Sequence, residues 1–475
     1  MSAPARVEGL GRRGRWRGRP APALAACLIA LGSCTLYRAR PLEPIDSGGT
    51  GERESLAGVA VDASAIKHPL LAPVHVNVAD GITPDEAALL AVAANPDLRA
   101  ARAARGVAGA QLVAAGILPN PVLSGAVDVP TAPGTSAVTA VTLGAAVDLL
   151  GIATRSSERS AARLGVESVD LGLAWLEWQV AQAARLRAFD ILLLDRALGL
   201  VTEQQRTLQA VVSTLRTAVA QQVATRVELG AAEVAYHAVV DAHLMLRMQR
   251  DTAALGLART IGLDGSAPLE IQDVPIPFDG DSISPTALPT LDALMHDLGK
   301  RRLDLQGLGL GYASQEAKVR AAVLRQFPQI SIGVNRIRDT GGLLTLGPAV
   351  TIAFPLFNRN QGEVAVAEAT RAQMQAEYEA RVFNARSTMR ALLAELTASR
   401  RRLSNLRESV TAQQETVDLY RRALQARNAD VLTYYTALSA LMTSQLDVVA
   451  TLRGVVELAV ALETESGERF TPSNR

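Results

Sequence analysis

From Glu363 to Arg453 the chain has neither glycine nor proline, and its apolar positions follow a seven-residue rule. Val382, Met389, Leu396, Leu403, Val410, Val417 and Leu424 stand seven apart without a miss. After a break, Tyr435, Met442, Val449 and Val456 do so again, with Leu438 and Leu452 at the partner positions. A strict heptad predicts helices packed as coiled coils. Residues 359–427 as one helix would run roughly 100 Å at 1.5 Å per residue. No compact domain accommodates that length, so the object is a rod or a tube. The break at Ala426-Arg427-Asn428-Ala429 lets the chain turn back as a helical hairpin, and Val223-Ala224-Thr225-Arg226 is the matching turn earlier in the chain.

Elsewhere the period changes to two. Ile330, Ile332 and Val334 alternate with Ser331, Gly333 and Asn335; Val350, Ile352 and Phe354 alternate with Ala349, Thr351 and Ala353. Val141, Leu143, Ala145 and Val147 alternate with Thr142, Gly144 and Ala146, and 122–129 alternates less clearly. The links Pro130-Thr131-Ala132-Pro133-Gly134 and Asp339-Thr340-Gly341-Gly342 are turn-rich. These are hairpins with one apolar and one small or polar face. Such a pattern fits a half-buried hairpin on a soluble core and, equally, a barrel with lipid outside and water inside. A further helix is expected over 84–117, opened by a Thr83 cap, Pro84 in its first turn, and Asp85 and Glu86 behind it; 290–326 plays the same part later.

The two series form a duplication. Asn95-Pro96-Asp97-Leu98 and Arg302-Leu303-Asp304-Leu305 are offset by 207 residues, and the offset carries Pro121 onto Pro328, Leu149 onto Leu356 and Ala162 onto Ala369. Both halves end alike, at Leu257 to Gly262 and at Leu462 to Gly467. Each half reads as helix, two strands, very long helix, turn, long helix. The organisation is therefore 1–33 export signal, 34–83 N-terminal tether, 84–267 first repeat, 268–289 linker, 290–467 second repeat and 468–475 tail; 35–82 and 263–289 are Pro-, Gly- and Asp-rich without periodicity.

Composition agrees with long helices. Of 475 residues, aromatics are 4% and charged residues 20%, and the apolar content is mostly Ala, Leu and Val. Residues 1–33 carry six arginines and one glutamate, so their removal turns the net +1 into −4 and leaves no basic stripe for nucleic acid. A basic stretch to Arg19 precedes an apolar run from Ala21 to Leu31, too short to span a bilayer, as in a cleaved signal. It ends Leu31-Gly32-Ser33-Cys34, which resembles the bacterial lipobox, with Cys34 as the lipidated residue. The other cysteine, Cys27, falls in the removed segment, so no internal disulfide forms. No later stretch supplies the roughly 20 apolar residues of a membrane-spanning helix, so any membrane entry is by strands.

With Leu118-Pro119-Asn120-Pro121 and the stretch from Phe354 to Gly362 (FPLFNRNQG), these landmarks resemble the TolC family of outer-membrane efflux proteins over residues 80–467, closest to the CzcC- and CusC-like heavy-metal branch. The resemblance implies a mainly α fold with a small β part. Three protomers, four strands each, close a 12-stranded barrel in the outer-membrane lipid, above an α-helical tube across the periplasm. It implies a Gram-negative exit duct that works with a periplasmic adaptor protein and an inner-membrane resistance–nodulation–division transporter, with metal cations as cargo and no cofactor. Other readings are a drug, solvent or polypeptide duct, or a lipoprotein coiled-coil scaffold without a pore. It further implies that the hairpin tips, Arg226, Glu228, Arg427 and Asn428, face the adaptor, and that Asp430 matches an acidic ring at a periplasmic constriction. Thr433 stands where some members carry a second aspartate.

The residues alone allow blander roles. Asp430 also suits a helix start, and Arg226 and Glu228 suit either salt bridges between hairpins or a solvated pair. His237, His243, Met245 and Met248 lie on one helix, but their five- and six-residue spacings do not align on one face, which favours a structural role over a chelating one. His68, His75 and His296 form no ligand cluster. No Walker loop, HExxH or GxSxG is present, and an enzyme is not expected.

Overall fold

The heptads run along two of four long helices in a computed structural model that describes residues 37–41, 56–131, 134, 136–263, 269–276, 289–426 and 428–470. In chain order the elements are α1 (Leu56–Ser64), α2 (Pro84–Ala94), α3 (Pro96–Gly116), β1 (Val122–Asp128), β2 (Ala140–Asp148), α4 (Leu149–Ala220) and α5 (Arg226–Ile261). They continue with α6 (Leu291–Met295), α7 (Leu298–Arg301), α8 (Leu303–Leu324), β3 (Gln329–Arg338), β4 (Leu344–Ala353), α9 (Gln361–Gln425) and α10 (Val431–Ser466). With 72 residues, α4 runs roughly 110 Å. No helix among the described residues is long and apolar enough to cross a membrane.

Only six residues of the 65-residue α9 are buried, and four of them, Met389, Leu396, Leu403 and Val417, are heptad positions. Met389, Leu396 and Leu403 share one elongated core with Leu192 of α4 and with Leu452 and Val456 of α10. Burying each such side chain contributes about 1.5–3 kcal/mol. A second core, of Val201, Leu208, Val212, Ala232, Val239, Val417, Tyr435, Leu438 and Leu441, joins all four long helices near their turns.

The helix expected over 84–117 is two helices. Pro96 excludes the α conformation at the residue before it, and Asn95 takes φ −57°, ψ 125°. Its carboxamide oxygen accepts from the N–H of Asp97 and Leu98, while its Nδ2 donates to the Thr260 carbonyl 2.9 Å away. The Thr83 cap forms a full capping box with Glu86. In the second half the chain breaks at the matching place, Arg302, between α7 and α8. Both α5 and α10 end at a left-handed glycine, Gly262 (φ 84°) and Gly467 (φ 68°). A Cβ at Gly262 would also lie 2.4 Å from the Ala94 carbonyl oxygen, so this turn admits only glycine.

The segment 34–83, read as a tether, is partly built into the fold: α1 buries Val59, Ala60 and Ala63 against Leu90 and Ile261. The link between the halves is also anchored, as Ile82 donates to the Glu270 carbonyl and accepts from Gln272 in a parallel bridge. Residues 54–475 form one unit, and of residues 1–53 only 37–41 are described, exposed and without regular structure. The export signal and Cys34 lie outside the described residues.

A charged knot lies within the apolar core. Glu463 is fully buried and pairs with Arg185, which is 3% exposed. Arg185 also meets Asp85 at 3.1 Å, and Asp85 meets Arg469 at 2.8 Å, tying α2 to the segment after α10. Nearby, buried Arg302 lies over the Trp175 ring and binds Asp304 and Glu465.

Candidate functional site

The four strands form one antiparallel sheet in the order β1-β2-β3-β4. Its register sorts the side chains onto two faces. Ile332 stands opposite Val350 and Val147, Val334 opposite Ala145, and Leu123 opposite Ala145. One face therefore carries Leu123, Val127, Leu143, Ile332, Val334, Leu346 and Val350, each 48–80% exposed. The other carries small and polar residues, among them Ser124, Thr142, Gly144, Ser331, Gly333, Asn335 and Thr351, with Asp128 and Asp148 near its ends. A Cβ at Gly333 would lie 2.1 Å from the Ala145 carbonyl oxygen, and one at Gly144 would lie 2.5 Å from Asn335 Oδ1. Glycines at such crowded points let a sheet curve.

An apolar face of this size, uncovered within the chain, is out of place in water. The 9- and 10-residue lengths of β2, β3 and β4 suit strands crossing a bilayer at a tilt. The outer strands β1 and β4 each leave one edge unpaired within the chain, which lipid does not tolerate unless another strand completes the ladder. At the junction with the helices, the Asp148 carboxylate caps α4 through the Leu150 N–H and accepts from Gln329 Nε2.

The other end of the long helices holds the two turns. At the first, Thr225 caps α5 and its N–H and hydroxyl both donate to Glu228, at 2.7 and 2.9 Å. Glu228 is thus a capping-box residue rather than the partner of Arg226, which stands exposed at the start of α5. At the second, Asp430 is the exposed N-cap of α10 and accepts from the N–H and hydroxyl of Thr433, at 3.3 and 3.4 Å. Asn428 is exposed beside it, and Arg427 lies outside the described residues. The shared core through Tyr435 gathers both turns at one end. Burial pushes the Tyr435 hydroxyl up to about 12, with Tyr434 and Glu228 adding to the effect. Arg421 is held in its charged form chiefly by the Tyr434 hydroxyl, with the charge of Asp418 adding to this.

Three of the histidines make contacts within the fold. His243 Nδ1 is 2.9 Å from Gln205 Oε1, and His237 sets its ring edgewise to Tyr236. His68 Nε2 is bound to the Ala174 carbonyl at 2.8 Å, and its Nδ1 accepts from the Leu70 N–H, so it pins the segment after α1 onto α4. Among the described residues no group of three or more His, Cys, Asp or Glu could hold a metal ion.

The family model for outer membrane efflux proteins matches residues 294–468. No curated protein sequence matches the chain. Solved structures match along nearly their whole length. CusC, solved in a study of folding and transmembrane channel formation, has a TM-score of 0.66 at 18% identity, covering 85% of this chain and 97% of that one. The outer-membrane channel OprN gives 0.67 at 16%, covering 86% and 97%. The outer membrane protein VceC from Vibrio cholerae gives 0.65 at 16%, covering 82% and 97%. The chain shares their fold.

Proposed function

We propose, from a chain whose residues 294–468 are an outer membrane efflux protein domain and whose first half repeats the same series of elements, that three copies form a passive exit duct through the outer membrane. The observation that carries this reading is the sheet: one exposed apolar face, one small and polar face, and two unpaired edges. Four strands cannot close alone, whereas three sets joined edge to edge put the apolar face in lipid and the polar face around water.

The two repeats supply independent support for the assembly. Helix α8 lies against both α4 and α9 and buries nine residues. Its counterpart α3 packs on α4 but buries only Leu98 and Ala108, and leaves Val107 and Val113 60% and 68% exposed. The place that α4 takes beside α8 is vacant beside α3 among the described residues, and α9 of a neighbouring copy, the counterpart of α4, fills it.

In this duct the coupled turns mark the periplasmic end. Three copies of Asp430 ring the axis and favour cations, while Arg226, Glu228, Arg427 and Asn428 meet a periplasmic adaptor that links the duct to an inner-membrane transporter. Cys34 carries the lipid anchor. Metal cations are the proposed cargo, on the resemblance of the FPLFNRNQG stretch to the heavy-metal branch. Purified protein is expected to cross-link as a trimer and to give discrete single-channel conductance in planar bilayers; a monomer without conductance overturns the duct. Deletion of the gene is expected to lower zinc, cobalt, nickel or copper tolerance. A loss of drug tolerance alone would instead assign a drug cargo.

A further inference from the structure

The apolar face of the sheet has two interruptions, both basic and both at the same end. Arg336 and Arg338 occupy alternate positions at the end of β3 and project to the side of Ile332 and Val334. Arg336 stands opposite Leu143 and Leu346, and Arg338 opposite Val141 and Leu344. Both arginines are exposed. Of the sheet's carboxylates, Asp128 and Asp148 belong to the other face, so no acid on this face is placed to neutralise the pair. The Asp339 carboxylate, next in sequence, is turned into its own hairpin, where it accepts from the Leu343 N–H at 2.9 Å. The opposite end of the face, at Leu123, Val147, Ile330 and Ile352, has no basic residue.

This asymmetry has a direction. The basic end adjoins the 339–343 turn, which a backbone bond from the Val138 N–H to the Thr340 carbonyl ties to the other hairpin loop. The bare end adjoins the long helices. A charge on a lipid-facing strand is costly at mid-bilayer and tolerated near the interface, where a long side chain carries its head out to the polar layer. Two arginines spaced about 7 Å along one face offer two guanidinium forks, each matching two oxygens of a phosphate group.

We infer that Arg336 and Arg338 form a binding site for phosphate-bearing headgroups of anionic lipid in the leaflet distal to the helical tube. The inference rests on the barrel reading. Three protomers give three such sites around the barrel, each clamping lipid against the rim formed by Val141, Leu143, Leu344 and Leu346.

The test reconstitutes the full chain in phosphatidylcholine vesicles with or without lipid A as the bisphosphorylated glycolipid. Lipid retained by the protein after detergent extraction is counted by native mass spectrometry. The wild type is expected to retain lipid A well above its share of the bilayer, the Arg336→Gln/Arg338→Gln variant at least tenfold less, and Arg336→Lys/Arg338→Lys an intermediate amount. Should the double variant fail to insert, Arg338→Gln alone is expected to lower retention severalfold. Unchanged retention by a variant that still floats with the vesicles as a trimer overturns the lipid site and leaves the duct standing. A wild type that does not float with the vesicles overturns the barrel reading and the site together.

Discussion

Truncating Glu463 should cost far more than its position at the end of α10 suggests. Its carboxylate is fully buried, pairs with Arg185, and accepts from the Phe470 N–H at 2.8 Å. Glu463→Ala removes the acceptor for both and leaves a guanidinium that is 3% exposed with less compensating charge. Breaking a buried pair from one side costs about 3–5 kcal/mol. Arg185 keeps Asp85 at 3.1 Å, which places the expected loss near the lower end, about 3 kcal/mol. Removing both charges is a different perturbation. In Arg185→Met/Glu463→Leu no charge of the pair is stranded, and Asp85 retains Arg469 at 2.8 Å. Such apolar replacements are commonly neutral or better, so the double variant should lie within about 1 kcal/mol of the parent. The assay is denaturant unfolding followed by circular dichroism in one detergent and at one protein concentration, since assembly makes stability concentration-dependent. A Glu463→Ala loss below about 1 kcal/mol, or a double variant at least as unstable as the single, refutes the stranded-charge argument.

Leu396→Ala opens a cavity at a fully buried heptad position and should cost about 2–5 kcal/mol in the same unfolding assay. In the proposed duct Asp430 has two separable roles, the cap of α10 and an acidic ring. Asp430→Asn keeps the cap acceptor but removes the charge, and should lower cation over anion permeability in bilayers without loss of stability, whereas Asp430→Ala should add a capping loss of about 0.5–2 kcal/mol; equal permeability ratios in all three proteins would remove the acidic ring. Burial holds His68 below the ordinary histidine value of 6.5. The folded state therefore resists protonation more than the unfolded chain does, so its contribution to stability is intact above about pH 6.5 and declines as pH falls below it. Amide protection of residues 66–78, taken relative to the intrinsic exchange rate at each pH, should fall between pH 7 and 5.5 in the wild type and stay level in His68→Gln; a wild type with flat protection would contradict the assignment.

Periodic features were the legible ones. The heptad positions from Val382 to Val456, Leu424 apart, fall in the cores because a seven-residue repeat keeps one face of a helix toward its partners. The alternation at Ile330–Asn335 sorts onto two faces because strand geometry fixes a period of two. The break at Asn95 was written in Pro96, but the helical character on both sides masked it. Glu463 was detectable in part: it stands seven after Val456, so the heptad register places a carboxylate in the core. Its partner Arg185 stands seven from both Trp178 and Leu192, all three buried. Their meeting, 278 residues apart, is tertiary and has no local signal. The anchoring of α1 and of residues 269–276 was likewise hidden, because short buried segments held by others carry no period of their own. The two turns could be located but not their bonds, and Glu228 showed itself as a cap only once Thr225 was in place.

The central claim is that neighbouring strand positions see lipid and water in turn. Ile332 faces Val350 across the ladder, and one step away Ser331 faces Thr351. Single cysteines at these four sites in the full chain, each carrying a small fluorophore, can be quenched from either side in vesicles. Labels at 332 and 350 should be quenched by brominated lipid and spared by aqueous iodide, and labels at 331 and 351 should show the reverse. Equal quenching at all four, or iodide quenching at 332 and 350, would contradict a lipid-embedded barrel.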